Sequence, residues 1–269
     1  MDGLHVDRYA YTGAGDSGVP LLLIHGWAMH GGMWQGVAEK LAQHFNVLAV
    51  DLPGHGYSRG QRTEDRGQRF AERLDEIVDT LSVQFNEPLT VCGWSLGGQV
   101  ALRWAMCYPQ QVQRLILVSS TPCFVRRAGW DHGLSVAVLQ EFSTALRQNY
   151  APTLKRFLAL QLRGSDRERE LLSAMRDTLF ARGEPDLDAL QAGLEILRDC
   201  DLRDGLPSIT QPALIVAGER DALTPLAAAQ YMAEHMPDAQ LVGIAGAAHV
   251  PFLSHPDEFV KHLVKFLYG

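Results

Sequence analysis

The sequence predicts an α/β fold, in which a mostly parallel central sheet is flanked by helices and carries an inserted helical lid. Three features predict it: apolar runs alternate with helix-length segments, the runs are continuously apolar, and one long stretch contains helices only. Continuously apolar runs are typical of strands that are buried on both faces of a parallel sheet. A length of 269 residues is compatible with one large domain of this kind.

Six apolar runs are the candidate strands, and glycine or proline follows closely after each of them. They are Val19–Ile24, Phe45–Val50, Leu89–Cys92, Arg114–Val118, Ala213–Ala217 and Gln240–Ile244. The candidate helices between them are Met33–His44, Arg66–Gln84, Leu96–Tyr108 and Leu226–His235. This alternation indicates crossover connections, which make neighbouring strands parallel.

The stretch between the fourth and fifth runs breaks the alternation. Its pattern predicts four helices and no strand: Leu134–Gln148, Pro152–Leu162, Asp166–Phe180 and Asp186–Arg198. A helical block between two sheet strands is best explained as a lid over the carboxyl edge of the sheet. We expect this lid at residues 122–206 and a core made of residues 1–121 and 207–269.

The charge balance and the cysteines argue against several classes of protein. The chain has 24 Lys and Arg against 31 Asp and Glu, a net charge of −7, which is unlike a dedicated nucleic-acid-binding protein. Its 4 cysteines (Cys92, Cys107, Cys123 and Cys200) are too dispersed for a disulfide scaffold or a Cys-rich zinc site. The N-terminal segment lacks a signal-peptide pattern, and no apolar run reaches about 18 residues. We therefore expect a cytoplasmic protein that binds neither nucleic acid nor membrane.

The residues give no case for a metal ion or a cofactor. The histidines show neither H-x-x-x-H nor H-E-x-x-H spacing, and His30, His44 and His55 have no clustered carboxylates. No G-x-G-x-x-G segment follows a candidate strand, so a dinucleotide cofactor is not expected. The glycine-rich loop Asp51–Ser58 lacks the lysine and the spacing of a P-loop, and we interpret it as structural.

The strongest motif is G-x-S-x-G at Gly93–Gly97, with Ser95 at its centre. A candidate strand, Leu89–Cys92, comes directly before it, and the helical pattern Gln99–Ala105 follows. A tight strand-to-helix turn holds such a serine in a strained backbone at a helix N-terminus, where the helix dipole favours developing negative charge. The alternative is a glycine-rich turn with an incidental serine, and the flanking strand and helix disfavour it.

A serine hydroxyl needs a base to activate it and an acid to orient that base. In this kind of fold the chain order is serine, acid, histidine. Asp221 follows the run Ala213–Ala217, and His249 follows the run Gln240–Ile244, so each is expected beyond the carboxyl end of a strand. We predict that Ser95, Asp221 and His249 form a catalytic triad.

Each partner of the serine has a rival in the sequence. Glu219 is an alternative acid, but it comes before the centre of its turn and is more consistent with a surface hydrogen bond or ion pair. His255 is an alternative base, but it precedes a proline and is better explained as the start or cap of the last helix.

The oxyanion hole requires backbone N–H groups that point at the substrate carbonyl oxygen. We predict that one is the N–H of Leu96, directly after the serine. The other is predicted to be the N–H of Trp27, in a loop where Gly26 allows close backbone approach. The Trp27 ring could pack in the core, line the acyl pocket, or do both.

Together, these residues resemble the α/β-hydrolase superfamily, with HGW, DLPGHG, GWSLGG, GERD and AAHVPF in the expected order. Within it, the chain resembles the pimeloyl-acyl-carrier-protein methyl ester esterases of biotin synthesis. The segments that carry this resemblance are Leu23–Trp27, Val50–Gly56, Gly93–Gly98, Ser120–Phe124, Arg156–Gln161, Gly193–Leu197 and Asp201–Arg203. The lid segments discriminate best, because the sheet motifs belong to the whole superfamily.

The resemblance implies an α/β-hydrolase fold and an esterase that needs no cofactor. Its substrate would be a methyl-capped pimeloyl chain on an acyl carrier protein, cleaved to a free carboxylate and methanol, and small esters would also be accepted. The implied substrate contacts are Trp27, Phe157, Leu160 and Gln161. At helical spacing, Phe157 and Leu160 could equally be core residues.

Carrier proteins are acidic, so the docking face is expected to be basic. Residues 147–169 contain 6 basic and 2 acidic residues, a balance of +4 within a chain of −7. We predict that the carrier docks on a basic cluster of five residues: Lys155, Arg156, Arg163, Arg167 and Arg169. The alternative is an ordinary solvated helix face.

Three other functions share the same residues. A general carboxylesterase for small esters would use the same triad and differ only in the lid. A hydrolase that cleaves a carbon–carbon bond of a ring-opened diketone would also use it. A non-enzymatic ligand receptor is the third, and the complete triad argues against it.

Overall fold

The structure, a computed structural model, describes residues 3–14, 18–59 and 74–269. Its strands are β1 (Val6–Tyr9), β2 (Leu21–Ile24), β3 (Val47–Val50), β4 (Leu89–Trp94), β5 (Val112–Val118), β6 (Ala213–Gly218) and β7 (Ala239–Ile244). They form one sheet in the order β1-β3-β2-β4-β5-β6-β7. Strands β2 to β7 are parallel, and β1 pairs antiparallel with β3. The predicted α/β fold class is confirmed.

The six predicted strands are all present, with ends that differ by one or two residues, and β1 is the strand that the pattern missed. Its sequence, Val-Asp-Arg-Tyr, is only four residues long and contains two charged side chains. It lies at the edge of the sheet and is mostly half-buried, so its sequence lacks the continuous apolar run that identifies the inner strands.

The core helices are α1 (Gln35–Leu41), α2 (Leu74–Gln84), α3 (Leu96–Cys107), α8 (Leu226–His235), α9 (Pro251–Ser254) and α10 (Pro256–Tyr268). The helix predicted over Met33–His44 is present but shorter, because a 3₁₀ turn at Gly31–Trp34 precedes α1 and the helix ends at Leu41. The first residues of the predicted helix Arg66–Gln84, up to residue 73, lie outside the described residues. In the described ranges, none of the helices combines the length and the apolar character that crossing a membrane requires.

Four helices lie between β5 and β6 in the chain: α4 (Val136–Gln148), α5 (Tyr150–Leu162), α6 (Glu168–Leu179) and α7 (Leu187–Asp199). We call residues 136–199 the helical insertion. Side chains fix two of its starts: Ser135 accepts the N–H of Val138, and Asp186 accepts the N–H of Asp188. The helices agree with the predicted ones, whereas the division into a core and a lid at residues 122–206 stays a prediction.

The parallel strands bring the loops that follow them to one edge of the sheet. Ile24 of β2 is paired with Gly93 of β4, and Val118 of β5 is paired with Val216 of β6. Ile244 of β7 is paired with the last residue of β6. Since the loops after β2, β4, β6 and β7 carry the predicted triad and oxyanion-hole residues, the sheet positions these residues at its carboxyl edge.

Candidate active site

Ser95 occupies the sharp turn between β4 and α3. Its backbone angles are φ 56° and ψ −117°, a region that a residue with a side chain rarely adopts. The turn is held on both sides, since the Ser95 N–H donates to the carbonyl of Val118 at 3.0 Å and the Ser120 hydroxyl donates to the Ser95 carbonyl at 2.8 Å. The strained backbone keeps the serine at the N-terminus of α3, as the motif predicts.

The glycines of the motif are required by close backbone contact. A Cβ on Gly97 would lie 2.5 Å from the carbonyl oxygen of Ile24. A Cβ on Gly93 would lie 2.1 Å from the carbonyl oxygen of Gly97 itself. A side chain at either position would therefore push α3 away from the sheet and displace the serine.

Asp221 and His249 are hydrogen-bonded to each other, with 2.8 Å between Asp221 Oδ2 and His249 Nδ1. Both side chains are almost completely buried. The loop of His249 is tied to the serine turn, because the indole N–H of Trp94 donates to the His249 carbonyl at 2.9 Å. A carboxylate on Nδ1 leaves Nε2 as the ring nitrogen that can accept a proton.

The rival acid and base are placed elsewhere. Glu219 is exposed at the surface. His255 is half-buried between α9 and α10, and its Nδ1 lies 2.8 Å from the Ser254 hydroxyl. Of these four residues, the structure pairs Asp221 with His249, and the roles of acid and base assigned to them stay a proposal.

The loop after β2 approaches the serine closely. A Cβ on Gly26 would lie 3.2 Å from the Ser95 Cβ. Ala28, two residues further on, has a φ of 62°, so this loop is also strained. Among the described residues, the backbone N–H groups of Trp27 and Leu96 donate to no protein acceptor. They are available for the oxyanion role that the sequence predicts, which we retain as a proposal.

His25 fixes this loop rather than acting as a base. Its Nε2 accepts the Leu52 N–H at 2.9 Å, so Nδ1 carries the proton and donates to the Gly26 carbonyl at 2.8 Å. Burial, reinforced by the neighbouring His55, lowers the pKa of His25 well below its ordinary value. The ring is therefore a neutral bridge between two loops.

Two of the predicted substrate contacts, Phe157 and Gln161, touch Trp27 and His249 respectively. The Phe157 ring meets the Trp27 ring edge to face at 4.9 Å, and Leu160 is half-buried on the same helix. Gln161 is buried, and its carbonyl accepts the N–H of His249 at 3.0 Å. The Gln161 amide nitrogen is buried without a hydrogen-bond partner in the described part of the chain, so it could donate to a bound substrate.

The predicted docking residues separate into two groups. Four are exposed: Lys155, Arg156, Arg163 and Arg169. Arg167 differs, because its guanidinium bonds the Glu170 carboxylate and donates to the carbonyl of Ser254 at 3.0 Å. The Arg167 side chain is still partly exposed, and its predicted docking role stays a prediction. The other four remain candidates.

Thr224 is a site residue that the sequence analysis missed. Its hydroxyl donates to Asp221 Oδ2 at 2.7 Å. The available signal was the D-x-x-T spacing from Asp221 to Thr224, in which a side chain three residues on can reach back to the acid. No group of three or more His, Cys, Asp or Glu side chains in the described ranges could hold a metal ion.

The fold and the site define the class of α/β-hydrolases, and the sequence profile described as "alpha/beta hydrolase fold" matches residues 19–256. The chain is 45% identical over 262 residues to the pimeloyl-[acyl-carrier protein] methyl ester esterase of Nitrosomonas europaea, covering 97% of this chain and 98% of that protein. It is 38% identical to the one of Aliivibrio fischeri, covering 93% and 94%. The chain therefore belongs to the α/β-hydrolase family and, within it, to the pimeloyl-acyl-carrier-protein methyl ester esterases.

Solved structures show the same fold. An esterase from Exiguobacterium antarcticum superposes with a TM-score of 0.85 at 23% identity, covering 99% of this chain and 96% of that one. MenH from S. aureus superposes with a TM-score of 0.80 at 24% identity, covering 98% of each chain. At these identities the likeness to solved structures concerns the fold alone. The family resemblance predicted from the sequence is confirmed by the curated relatives, which are more similar in sequence.

Proposed function

We propose that this chain is a serine carboxylesterase that hydrolyses the methyl ester of pimeloyl-acyl-carrier protein in biotin synthesis. The observation that carries the proposal is the buried Asp221–His249 pair, 2.8 Å apart, at the sheet edge that also holds the strained Ser95. Relatives that are 38–45% identical over nearly the whole chain are named pimeloyl-[acyl-carrier protein] methyl ester esterases, and we take the proposed substrate from that name.

In the first half of the reaction, Ser95 Oγ attacks the carbonyl carbon of the methyl ester. His249 Nε2 takes the hydroxyl proton, while Asp221 holds the ring by Nδ1 and stabilises the imidazolium. The tetrahedral intermediate collapses as His249 returns the proton to the methoxy oxygen. The carbon–oxygen bond to that group breaks, methanol leaves, and the acyl chain remains on the serine.

In the second half, water takes the place of methanol. His249 removes a proton from the water, whose oxygen attacks the acyl-enzyme carbonyl. The second tetrahedral intermediate collapses as His249 returns the proton to Ser95 Oγ and the carbon–Oγ bond breaks. The Ser95 hydroxyl is restored, and the acid product ionises in water to the free carboxylate. In both intermediates the N–H groups of Trp27 and Leu96 stabilise the oxyanion, and loss of one such donor typically costs about 10²–10³ in kcat.

The helical insertion supplies the wall for the acyl chain. Phe157 and Leu160 contribute apolar surface beside the Trp27 ring, and the unpartnered amide of Gln161 donates to a polar group of the substrate. We assign these contacts from the packing of α5 against the loops of Trp27 and His249. An apolar wall with one buried donor suits an ester on a saturated chain.

The carrier protein docks on the exposed side of the same insertion. Lys155, Arg156, Arg163 and Arg169 are exposed and positive, whereas the chain as a whole is negative. Opposite charge steers an acidic carrier to this face without a large apolar interface. We assign the reaction to the cytoplasm, because the four cysteines are free thiols, which a reducing compartment preserves.

The direct test is turnover of methyl-pimeloyl-carrier protein beside a short p-nitrophenyl ester. We expect methanol release from the carrier-bound ester at a kcat/KM well above that for the small ester. Hydrolysis of the small ester with no release from the carrier would favour a general carboxylesterase. Binding without turnover of either would favour a receptor. Complementation of a biotin-requiring strain that lacks the esterase, with Ser95→Ala as control, tests the same function in cells.

A further inference from the structure

The carboxylate of Asp221 is held by four donors. Oδ1 accepts the backbone N–H of Leu223 at 2.8 Å and that of Thr224 at 3.0 Å. Oδ2 accepts the Thr224 hydroxyl at 2.7 Å and faces His249 Nδ1 at 2.8 Å. Two of the four donors belong to Thr224, so this residue contributes as much to the position of the acid as any other in the described chain.

The Thr224 hydroxyl also lies next to the histidine. Its oxygen is 3.4 Å from His249 Nδ1, so the hydroxyl, the carboxylate oxygen and the ring nitrogen form a closed triangle. All three side chains are buried. Because a hydroxyl has one proton, donation to Oδ2 leaves the oxygen as an acceptor beside the ring N–H, which favours keeping the ring next to the acid.

The geometry of the loop shows no helix-capping role for this hydroxyl. Thr224 immediately precedes Pro225, the N-cap of α8, and no side chain caps that helix. Its one donor bond goes to the acid at 2.7 Å. A buried hydroxyl bound to a carboxylate makes a charge-assisted bond, which is roughly twice as strong as a neutral one.

We infer that Thr224 is a positioning residue of the reaction: its hydroxyl fixes the Asp221 carboxylate and shares with His249 the oxygen that orients the imidazole. The inference rests on the proposed function. Without the Thr224 hydroxyl, Oδ2 loses one of its two hydrogen-bond donors. The carboxylate is then less firmly positioned, so the imidazole ring is less well oriented. Its negative charge is also less neutralised, so it stabilises the imidazolium more strongly.

The test compares Thr224→Val, which keeps the branched shape and removes the hydroxyl, with Thr224→Ser, which keeps the hydroxyl and removes the methyl group. Thr153→Val is the matched control, because Thr153 is also buried and its hydroxyl donates to a helix carbonyl, that of Asn149, at 2.6 Å. For each variant we would measure kcat and KM for a p-nitrophenyl ester as a function of pH, the thermal midpoint, and the downfield proton resonance of His249 Nδ1–H.

For Thr224→Val we expect kcat to fall about tenfold or more with little change in KM, because a less well oriented imidazole is further from the productive geometry and a small misplacement of a catalytic group can cost up to about 10²-fold. Because the imidazolium is stabilised more strongly, the fall of kcat/KM at acidic pH should begin at a higher pH. For the same reason, the Nδ1–H resonance should move further downfield. Thr224→Ser should stay within about threefold of the wild type, with both readouts unmoved. Thr153→Val should leave the acidic pH dependence and the resonance in place.

The inference would be overturned if Thr224→Val had the same acidic pH dependence of kcat/KM and the same Nδ1–H resonance as the wild type, whatever its thermal midpoint. Equal losses in the Val and Ser variants would overturn it as well, because they would assign the effect to packing. If the wild type hydrolyses no ester, the proposed function fails, and the resonance still decides whether Thr224 controls the Asp221–His249 bond.

Discussion

The carboxyl edge of the sheet and the helical insertion above it are built in different ways. Among the described residues, three with side chains have a positive φ, namely Ala28, Ser95 and Ser119, and they follow the adjacent strands β2, β4 and β5. In the insertion, the positive φ values belong to Gly164 and Gly183. Strain is thus concentrated at the sheet edge, where the surrounding backbone bonds can hold it.

The two regions are joined by polar side chains. Arg182, between α6 and α7, bonds both oxygens of the fully buried Asp51 at 3.1 Å and also bonds Asp7 of β1. On the other side, Arg220 pairs with Asp166. The sheet edge therefore fixes reacting groups through its backbone. The insertion is an amphipathic layer that is held by a shared apolar core, by these ion pairs and by a few backbone hydrogen bonds, such as that from the Asp186 N–H to the Gly54 carbonyl.

The largest expected effect is on the chemistry of the sheet edge. Ser95→Ala should lower kcat on the order of 10³-fold or more, because the nucleophile is lost while the fold keeps its contacts. Ester turnover and circular dichroism would be measured together. Ser82→Ala is the matched control, since Ser82 is also buried and its hydroxyl donates to the carbonyl of Asp79. Near-normal turnover by folded Ser95→Ala would reject the assignment of the nucleophile.

The second prediction tests the ties between the regions. Arg182→Met should lower the free energy of unfolding by about 2–4 kcal/mol, because Asp51 is left as a buried charge without its cation. Arg176→Met removes an exposed arginine from α6 and should cost within about 0.5 kcal/mol. Urea unfolding of the two variants is the measurement. Equal stabilities would show that the Arg182–Asp51 pair contributes nothing to the stability of the fold.

The third prediction concerns pH and the sheet edge. Burial lowers the pKa of both His25 and His55, so the unfolded chain binds protons that the folded chain does not. Stability therefore rises with pH and is lost as pH falls below about 6.5, by about 1–2 kcal/mol between pH 7 and pH 5.5. Urea unfolding across this range measures the slope. His55→Gln should reduce the slope and leave the part that comes from His25, whereas His44→Gln should leave the slope unchanged; a flat wild-type profile would contradict the prediction.

The smallest expected effect is on the outer surface of the insertion. Arg156→Glu with Arg169→Glu should raise KM for the carrier-bound ester about tenfold, since each exposed charge pair is worth about 0.2–1 kcal/mol and reversal adds repulsion. The value of kcat and the hydrolysis of a small ester should stay unchanged, and added salt should shrink the difference. Arg8→Glu with Lys261→Glu is the control for net charge. If both substrates lose activity equally, the cluster serves folding instead.

The local parts of the site can be predicted from the amino-acid sequence alone. The turn at Ser95 follows from glycines that only close backbone contact explains, so a pentapeptide and its flanking strand and helix were enough to predict it. The inner strands were equally predictable, because burial on both faces leaves continuous apolar runs. The edge strand β1 was missed, since a half-buried strand of four residues carries no such signal.

Which distant residues come into contact depends on how the chain packs. The chain order of Ser95, Asp221 and His249 could be predicted from the sequence. The 2.8 Å contact between Asp221 and His249 depends on the register of β6 with β7. Thr224 and Arg182 had no role assigned from sequence, because one hydroxyl or one guanidinium looks the same whether it faces water or a buried carboxylate. Long-range polar contacts have no periodicity along the chain, so a pattern cannot predict them and packing must place them.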